Sequence, residues 1–374
     1  MKALNFAISL KKAFECRLCT TLGFPMKPRM INFAVTNQCN LLCITCNIGR
    51  NYLSNPSIAR NDLKIGEIDA LFFNNYALLK DVETIQITGG EPFMRNDLLK
   101  IIAVIHRYLP KCSIWIATNG TMPNLIIEEV QKIAKIHKHL SIGVSLDGGE
   151  LIHDQIHGIK GTYSKALQTL VGLVELKKHI PWIKIAVSFT ITPLNYKEIR
   201  FVYELSKKYN VWFTCRPTNI SPIYYRNVER RTFFSYRNAV EEVDKAIKEI
   251  EKDLKKSLGF FEALPHRYFL SGIRRFIMEG RLTKRYYRCY AGLSSFFLDA
   301  SGNVFPCIVL NRKMGNIRES SFEDIWKSKR ATEIRRQIQE FKCPNCWVEC
   351  ETYANMFEDF AHLAAFFLKA LLFR

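Results

Sequence analysis

From Met30 to about Pro217, short β-rich runs alternate with longer amphipathic ones, and this alternation narrows the fold more than any other feature. Ile31–Val35, Thr84–Thr88, Ser113–Ala117, Ser141–Leu146, Ile183–Ile191 and Trp212–Arg216 are bounded by polar or Gly-containing turns, which predicts strands. Between them, Ile65–Leu79, Asn96–Tyr108, Asn124–His137, Tyr163–Lys178 and Asn195–Tyr209 carry apolar residues at three- and four-residue spacing, which predicts helices. Strands that alternate with helices pair in parallel, because each crossover needs a covering helix. Six such units fall short of the eight of a closed barrel. The expected fold is therefore α/β, a partial (β/α)6 TIM-type barrel over residues 30–220.

The rest of the chain divides around that unit. Residues 1–29 read as an amphipathic segment and 221–280 as a helical linker, with a long charged helix over 226–258 that mixes signs at i,i+4 spacing. Residues 281–353 change character: strands near Phe296–Asp299 and Gly302–Phe305, a short helix near Phe322–Lys329, and Cys-bearing loops. An apolar helix is expected over 354–374. With 374 residues and 48% apolar content, one large core and a smaller module can be buried.

Twelve cysteines are many for this length, and eight fall in two groups, Cys39/Cys43/Cys46 and Cys289/Cys307/Cys343/Cys346/Cys350. No secretory signal precedes them, so metal binding is favoured over disulfides and a cytoplasmic location is expected. The first group closes the first strand with C-x3-C-x2-C spacing. A tetrahedral zinc site wants a fourth nearby ligand, and the next cysteine is Cys112. Three thiolates on a four-iron cube leave one iron open to bind a small molecule. Cys16 and Cys19 read as a chance pair on a helix, and Cys112 and Cys215 as core residues, with Cys215 near enough to a strand end to face a cavity.

Taken with its place at the end of the first strand, Val35-Thr-Asn-Gln-Cys39-Asn-Leu-Leu-Cys43-Ile-Thr-Cys46 resembles the signature of the radical S-adenosylmethionine (SAM) superfamily. The resemblance implies a 4Fe–4S cluster on Cys39, Cys43 and Cys46 whose open iron chelates SAM. It also implies reductive cleavage to a 5′-deoxyadenosyl radical. Gly89-Gly90-Glu91-Pro92, following the second strand, looks like the family's SAM-binding turn; glycines let the backbone approach a ligand, and Glu91 is expected near the ammonium group. The resemblance further assigns Asn119, Ser145 and Asp147, at later strand ends, to SAM binding; helix capping or turn formation is the alternative for Asn119 and Asp147. His153-Asp-Gln-Ile-His157-Gly is similar to the family's His-Asp-x-x-Arg-Gly segment, but an imidazole at 157 lacks the guanidinium fork.

The second cysteine group resembles the SPASM/twitch extension, with a C-x(n)-G-x4-C hairpin over Cys289–Cys307, a Gly315-Asn-Ile turn, and Cys343-x2-Cys346. This implies a single auxiliary 4Fe–4S cluster on Cys289, Cys307 and two of Cys343, Cys346 and Cys350; a structural zinc is the alternative. Twitch- and SPASM-bearing relatives act most often on peptides, so a net oxidation or coupling of a substrate peptide or small metabolite is expected. Cys307 is followed by Ile308 rather than the Asp of sulfatase-maturing relatives, which argues against formylglycine formation. Only about 30 residues precede the barrel, so a leader-peptide-binding domain is not expected.

A net charge of +19 suits an acidic partner or a plain solvated surface. The resemblance implies a ferredoxin or flavodoxin electron donor. RNA is a weaker candidate because no compact basic run appears, and the greasy 357–374 stretch leaves a docked helix or peripheral membrane contact with a lipid substrate.

Overall fold

The computed structural model describes residues 14–15, 18–19, 25–230, 239–279 and 289–358. Cys16, most of the N-terminal segment and the apolar stretch from 359 onward lie outside the described residues, and with them the readings attached to that stretch. Among the described residues no helix is long and apolar enough to cross a membrane.

All six expected strands form: β1 Met30–Ala34, β2 Thr84–Thr88, β3 Ser113–Thr118, β4 Leu140–Ser145, β5 Lys184–Ile191 and β6 Trp212–Pro217. Each pairs in parallel with its successor. Strand side chains alternate between faces, and the two sets differ in chemistry. Ile31, Phe33, Ile85, Ile114, Ile116, Ile142 and Val144 belong to the fully buried core. The alternate set, Asn32, Gln86, Trp115, Ser141, Ala186 and Thr214, lines a cavity.

Helices connect the strands: α1 Ile48–Ser54, α2 Ile65–Asn74, α3 Leu98–Tyr108, α4 Pro123–Ile136, α5 Glu150–His157, α6 Thr162–His179 and α7 Ile199–Lys208. The helix expected over Ile65–Leu79 is split at Asn75, with a single turn after it. Buried Asn75 donates to Leu71 O (2.9 Å) and accepts from Glu323 N (3.0 Å), so the break ties the barrel to the C-terminal module. The charged helix expected over 226–258 is α8 Val240–Glu279, which runs through Pro265. Proline removes one backbone bond, and burial of Ala263, Leu264, Phe269 and Ile273 offsets it.

The C-terminal module does not stand apart from the sheet. β7 Ser295–Leu298 pairs in parallel with the other edge of β1, Ile31 opposite Phe296, and β8 Asn303–Phe305 and β9 Gly315–Asn316 follow antiparallel. The strand order is β6-β5-β4-β3-β2-β1-β7-β8-β9. An uncovered β1 would present a row of unpaired backbone groups; β7 satisfies them. Helices α9 Phe322–Lys327, α10 Lys329–Gln339 and α11 Glu349–Glu358 complete the module. Its core is aromatic, with the Phe322 and Trp326 rings stacked at 5.6 Å and Arg335 over Trp326 at 4.4 Å.

Candidate active site

The C-terminal ends of the parallel strands converge on a cavity of about 140 Å³. Cys39, Cys43 and Cys46 line it, with Gly89, Gly90, Asn119, Ser145 and Asp147 across from them. Among the described residues no three His, Cys, Asp or Glu side chains close on one point as the ligands of a single ion do. The three thiols share the cavity's wall.

The cysteine loop is held from three sides. Thr36 O and Gln38 O accept from Gly90 N (2.8 Å) and Glu91 N (2.7 Å). A Cβ on Gly90 would lie 1.9 Å from Gln38 O and 2.9 Å from Cys39 Cβ, so only glycine allows this approach. From α5, His157 O and Ile156 O accept from Leu42 N (3.1 Å) and Ile44 N (2.8 Å). Helix α5 ends in Gly158, whose φ of 72° and contact with Leu42 O both exclude a side chain. The segment around His153 is thus a helix with a left-handed C-terminus.

The third side is a returning loop after β6. Arg230 donates to Cys43 O (3.0 Å), Ile44 O and Asn47 Oδ1, Arg226 to Asn37 Oδ1 (3.1 Å), and Asn227 to Thr45 O (2.8 Å). Burial pushes the Cys46 thiol up to about 11, and the two guanidinium groups oppose that rise. Burial also pushes Cys39 up to about 12, and Cys43 is raised further by the neighbouring thiols. Three buried thiolates without a cation are therefore disfavoured, and a positively charged group in the cavity is what relieves them. Neither arginine is singled out by sequence, since only the fold brings residues 226–230 to the cysteines.

Glu91 and Pro92 do not line the cavity. The Glu91 carboxyl is buried and accepts from Phe93 N (3.2 Å), Thr118 Oγ1 (2.8 Å) and Asn119 N (2.7 Å), tying the ends of β2 and β3; burial pushes it up to about 7. Asn119 forms the turn. Its Oδ1 accepts from Thr121 N (2.9 Å) to close a turn, while its Nδ2 donates to Asn40 Oδ1 (2.9 Å) in the cysteine loop. Asp147 accepts from Thr190 N (2.6 Å) and lies 3.1 Å from His157 Nε2. Burial works against its charge, yet His157 and His153 outweigh it and hold the carboxyl below its ordinary range. On its other edge His157 Nδ1 lies 3.4 Å from Cys43 Sγ. The imidazole thus links the end of β4 to the cysteine loop, in the place where the family segment it resembles carries Arg.

A second cavity of about 430 Å³ extends along the barrel interior toward the strand N-termini, where Ser141, Lys184 and Trp212 line it. The two cavities share Thr88, Ala117, Arg216, Tyr224 and Tyr225. Gly143 makes room for Trp115, whose ring lies 2.5 Å from where a Cβ would be. Tyr224 bonds Thr88 Oγ1 and donates to Gly89 O (3.2 Å), fixing the wall between the spaces.

Five thiols gather in the C-terminal module. Cys307 Sγ accepts from Leu310 N (3.4 Å), and Cys289 lies ahead of β7, its carbonyl accepting from Gln339 (2.8 Å). Burial raises Cys289, Cys307 and Cys346, and neighbouring Cys343 raises each of them further. Cys350, in the first turn of α11, is raised by burial and then by Glu351, Cys307 and Glu349, and it lines the larger cavity. Buried Glu351 accepts from Asn32 (3.2 Å) on β1 and Ser295 (2.7 Å) on β7. Cys112 and Cys215 are core residues; Cys215 borders a separate cavity between β6 and α8.

Comparison with known proteins agrees with this geometry. Residues 33–205 match the radical SAM superfamily, and 289–350 match SPASM, an iron–sulfur cluster-binding domain. AdoMet-dependent heme synthase of Methanosarcina barkeri is 26% identical over 84% of this chain and 86% of its own. The sporulation killing factor maturation protein SkfB of Bacillus subtilis is 23% identical over 84% and 69%. Streptococcus suis SuiB, solved with its precursor peptide SuiA, superposes with a TM-score of 0.61 at 15% identity, covering 87% of this chain and 71% of that one. The chain belongs to the radical SAM superfamily and carries a SPASM domain at its C-terminal end.

Proposed function

We propose that this radical SAM enzyme removes a hydrogen atom from a peptide or small metabolite, in a net oxidation or coupling. The observation that carries it is the cysteine cavity, walled by Gly89, Gly90, Ser145 and Asp147 and adjoining an aromatic chamber. Cys39, Cys43 and Cys46 would hold the 4Fe–4S cluster. Bound together, cluster and SAM supply the electron that breaks the sulfonium and the 5′-deoxyadenosyl radical that takes the hydrogen.

The chain's own residues bind, orient and shield. Arg226 and Arg230 favour the thiolate forms at the loop. Gly89 and Gly90 bring backbone to the cavity wall, and Ser145, Asp147 and Asn119 offer polar groups at the strand ends where a barrel places its ligand. Tyr224 and Tyr225, at the boundary of the two cavities, would exclude water from a reactive centre.

Cys289, Cys307, Cys343 and Cys346 would hold the auxiliary cluster, because Cys350 instead lines the aromatic chamber. Cys350 is then the spare thiol, facing the chamber. Matched relatives are named for heme synthesis and for peptide maturation, so both substrate classes stay within the proposal. The +19 charge suits an acidic ferredoxin or flavodoxin as donor.

Anaerobic reconstitution with iron, sulfide, SAM and dithionite tests the reading. The expected product is 5′-deoxyadenosine, with turnover lost in Cys39→Ala, Cys43→Ala and Cys46→Ala. Unaltered turnover in any of the three overturns it.

A further inference from the structure

Arg216, near the end of β6, stands where the two cavities meet. Its Nη1 lies 3.5 Å from Glu349 Oε2, beyond the ordinary length of a charge-assisted bond, and its Nε, itself enclosed, has no hydrogen-bond partner. About a third of the side chain, 30%, stays accessible although the residue lies within the barrel. Burial works against its charge, but Tyr225, Glu349 and Asp147 outweigh it and keep the guanidinium ionised. The guanidinium is thus charged and incompletely paired, and the accessible part of its side chain lines the chamber.

Around it the chamber is aromatic. Trp115, Trp212, Phe213, Tyr224, Tyr225 and Tyr353 line it. Flat apolar groups pack well on such walls, and a planar fork with free N–H groups matches a carboxylate in bidentate fashion. Glu349, which also lines the chamber, occupies only part of that role across 3.5 Å.

We infer that the chamber binds a ring-bearing carboxylic acid, with the ring among the aromatics and the carboxylate on Arg216. The inference deepens the proposed function by naming its substrate class, and it places the carbons next to the carboxyl group nearest the cysteine cavity. The acid comes either as a free small molecule or as a Glu side chain beside an aromatic residue in a peptide.

The test uses the reconstituted full chain and two matched pairs of probes. One pair is 2-naphthylacetate and 2-naphthylacetamide; the other is the peptide Ac-Ala-Ala-Phe-Glu-Ala-amide and its Gln analogue. Calorimetric titration should show naphthylacetate binding at least about tenfold tighter than its amide, the contribution of a hydrogen bond to a charged group. Arg216→Gln should erase that preference and Arg216→Lys should keep part of it. Glu349→Gln, which frees the fork, should tighten the acid and leave the amide unchanged. If the Glu peptide outbinds the Gln peptide in the same Arg216-dependent way, the source is a peptide; preference with naphthylacetate alone marks a free acid. Equal binding of acid and amide in the wild type, a preference that survives Arg216→Gln, or no gain in Glu349→Gln overturns the inference. The same preparation is assayed for 5′-deoxyadenosine. A chain that prefers the acid but makes none refutes the proposed function and leaves this inference standing.

Discussion

Replacing Gly90 with alanine would put a methyl group 1.9 Å from Gln38 O, where backbone on both sides cannot give way. We expect Gly90→Ala to shift the cysteine loop, costing of order 1–3 kcal/mol, and to lower the iron bound after reconstitution by more than half, read from the iron–sulfur absorbance. His153 makes a prediction with a sign. It is fully buried, stacked on His157 at 4.1 Å, and accepts from Asp147 N at 3.1 Å; burial pushes it down to about 3. Between about 3 and the ordinary 6.5 the unfolded chain holds a proton there that the folded chain does not. Stability therefore rises with pH across that window and is lost as pH falls through it. Denaturant titrations from pH 4.5 to 7 should show the slope, and His153→Gln should flatten it by up to about 1.4 kcal/mol per pH unit. An unchanged slope would mean the imidazole is not held neutral.

At the scale of elements, α8 meets the C-terminal module at Gly272, where a Cβ would sit 1.9 Å from the Trp347 ring. The indole cannot swing aside, because it is fully buried and donates to Phe269 O (3.0 Å). Gly→Ala inside a helix ordinarily gains about 1 kcal/mol, but here overpacking wins. Gly272→Ala should lower the melting temperature by several degrees, whereas a rise would show that the helix yields. Strands were legible in the sequence almost to the residue, as at Thr84–Thr88, because alternation is a local pattern. The cysteine loop and the glycine turn were legible for the same reason. What stayed hidden depends on distant partners. Residues 226–230 clamp the cysteines only because the chain returns over them. Helix α8 crosses Pro265 because its buried face outweighs the missing bond. Arg216 read as an ordinary strand residue, and nothing local tells which guanidinium lies between two cavities.

For the whole molecule, the shared sheet makes a definite statement about folding. A chain cut after residue 279 loses β7 and exposes the edge of β1. We expect it to aggregate or bind 8-anilinonaphthalene sulfonate strongly, and a monomeric, cooperatively unfolding fragment would contradict that pairing's importance. The +19 charge gives a kinetic counterpart. Reduction by an acidic flavodoxin should slow about tenfold or more between 0.05 and 0.5 M salt, as screening removes steering; salt-independent rates would assign that charge to another role.

β1 is the common keel of both cysteine centres. Its end leads into the loop of Cys39, its Asn32 grips Glu351 beside Cys350, and β2 and β7 lock its two edges. A swinging C-terminal lid is ruled out by that carpentry, because opening it would unzip the sheet. At the far end of the sheet, by β6, Lys184 and Trp212 line the chamber.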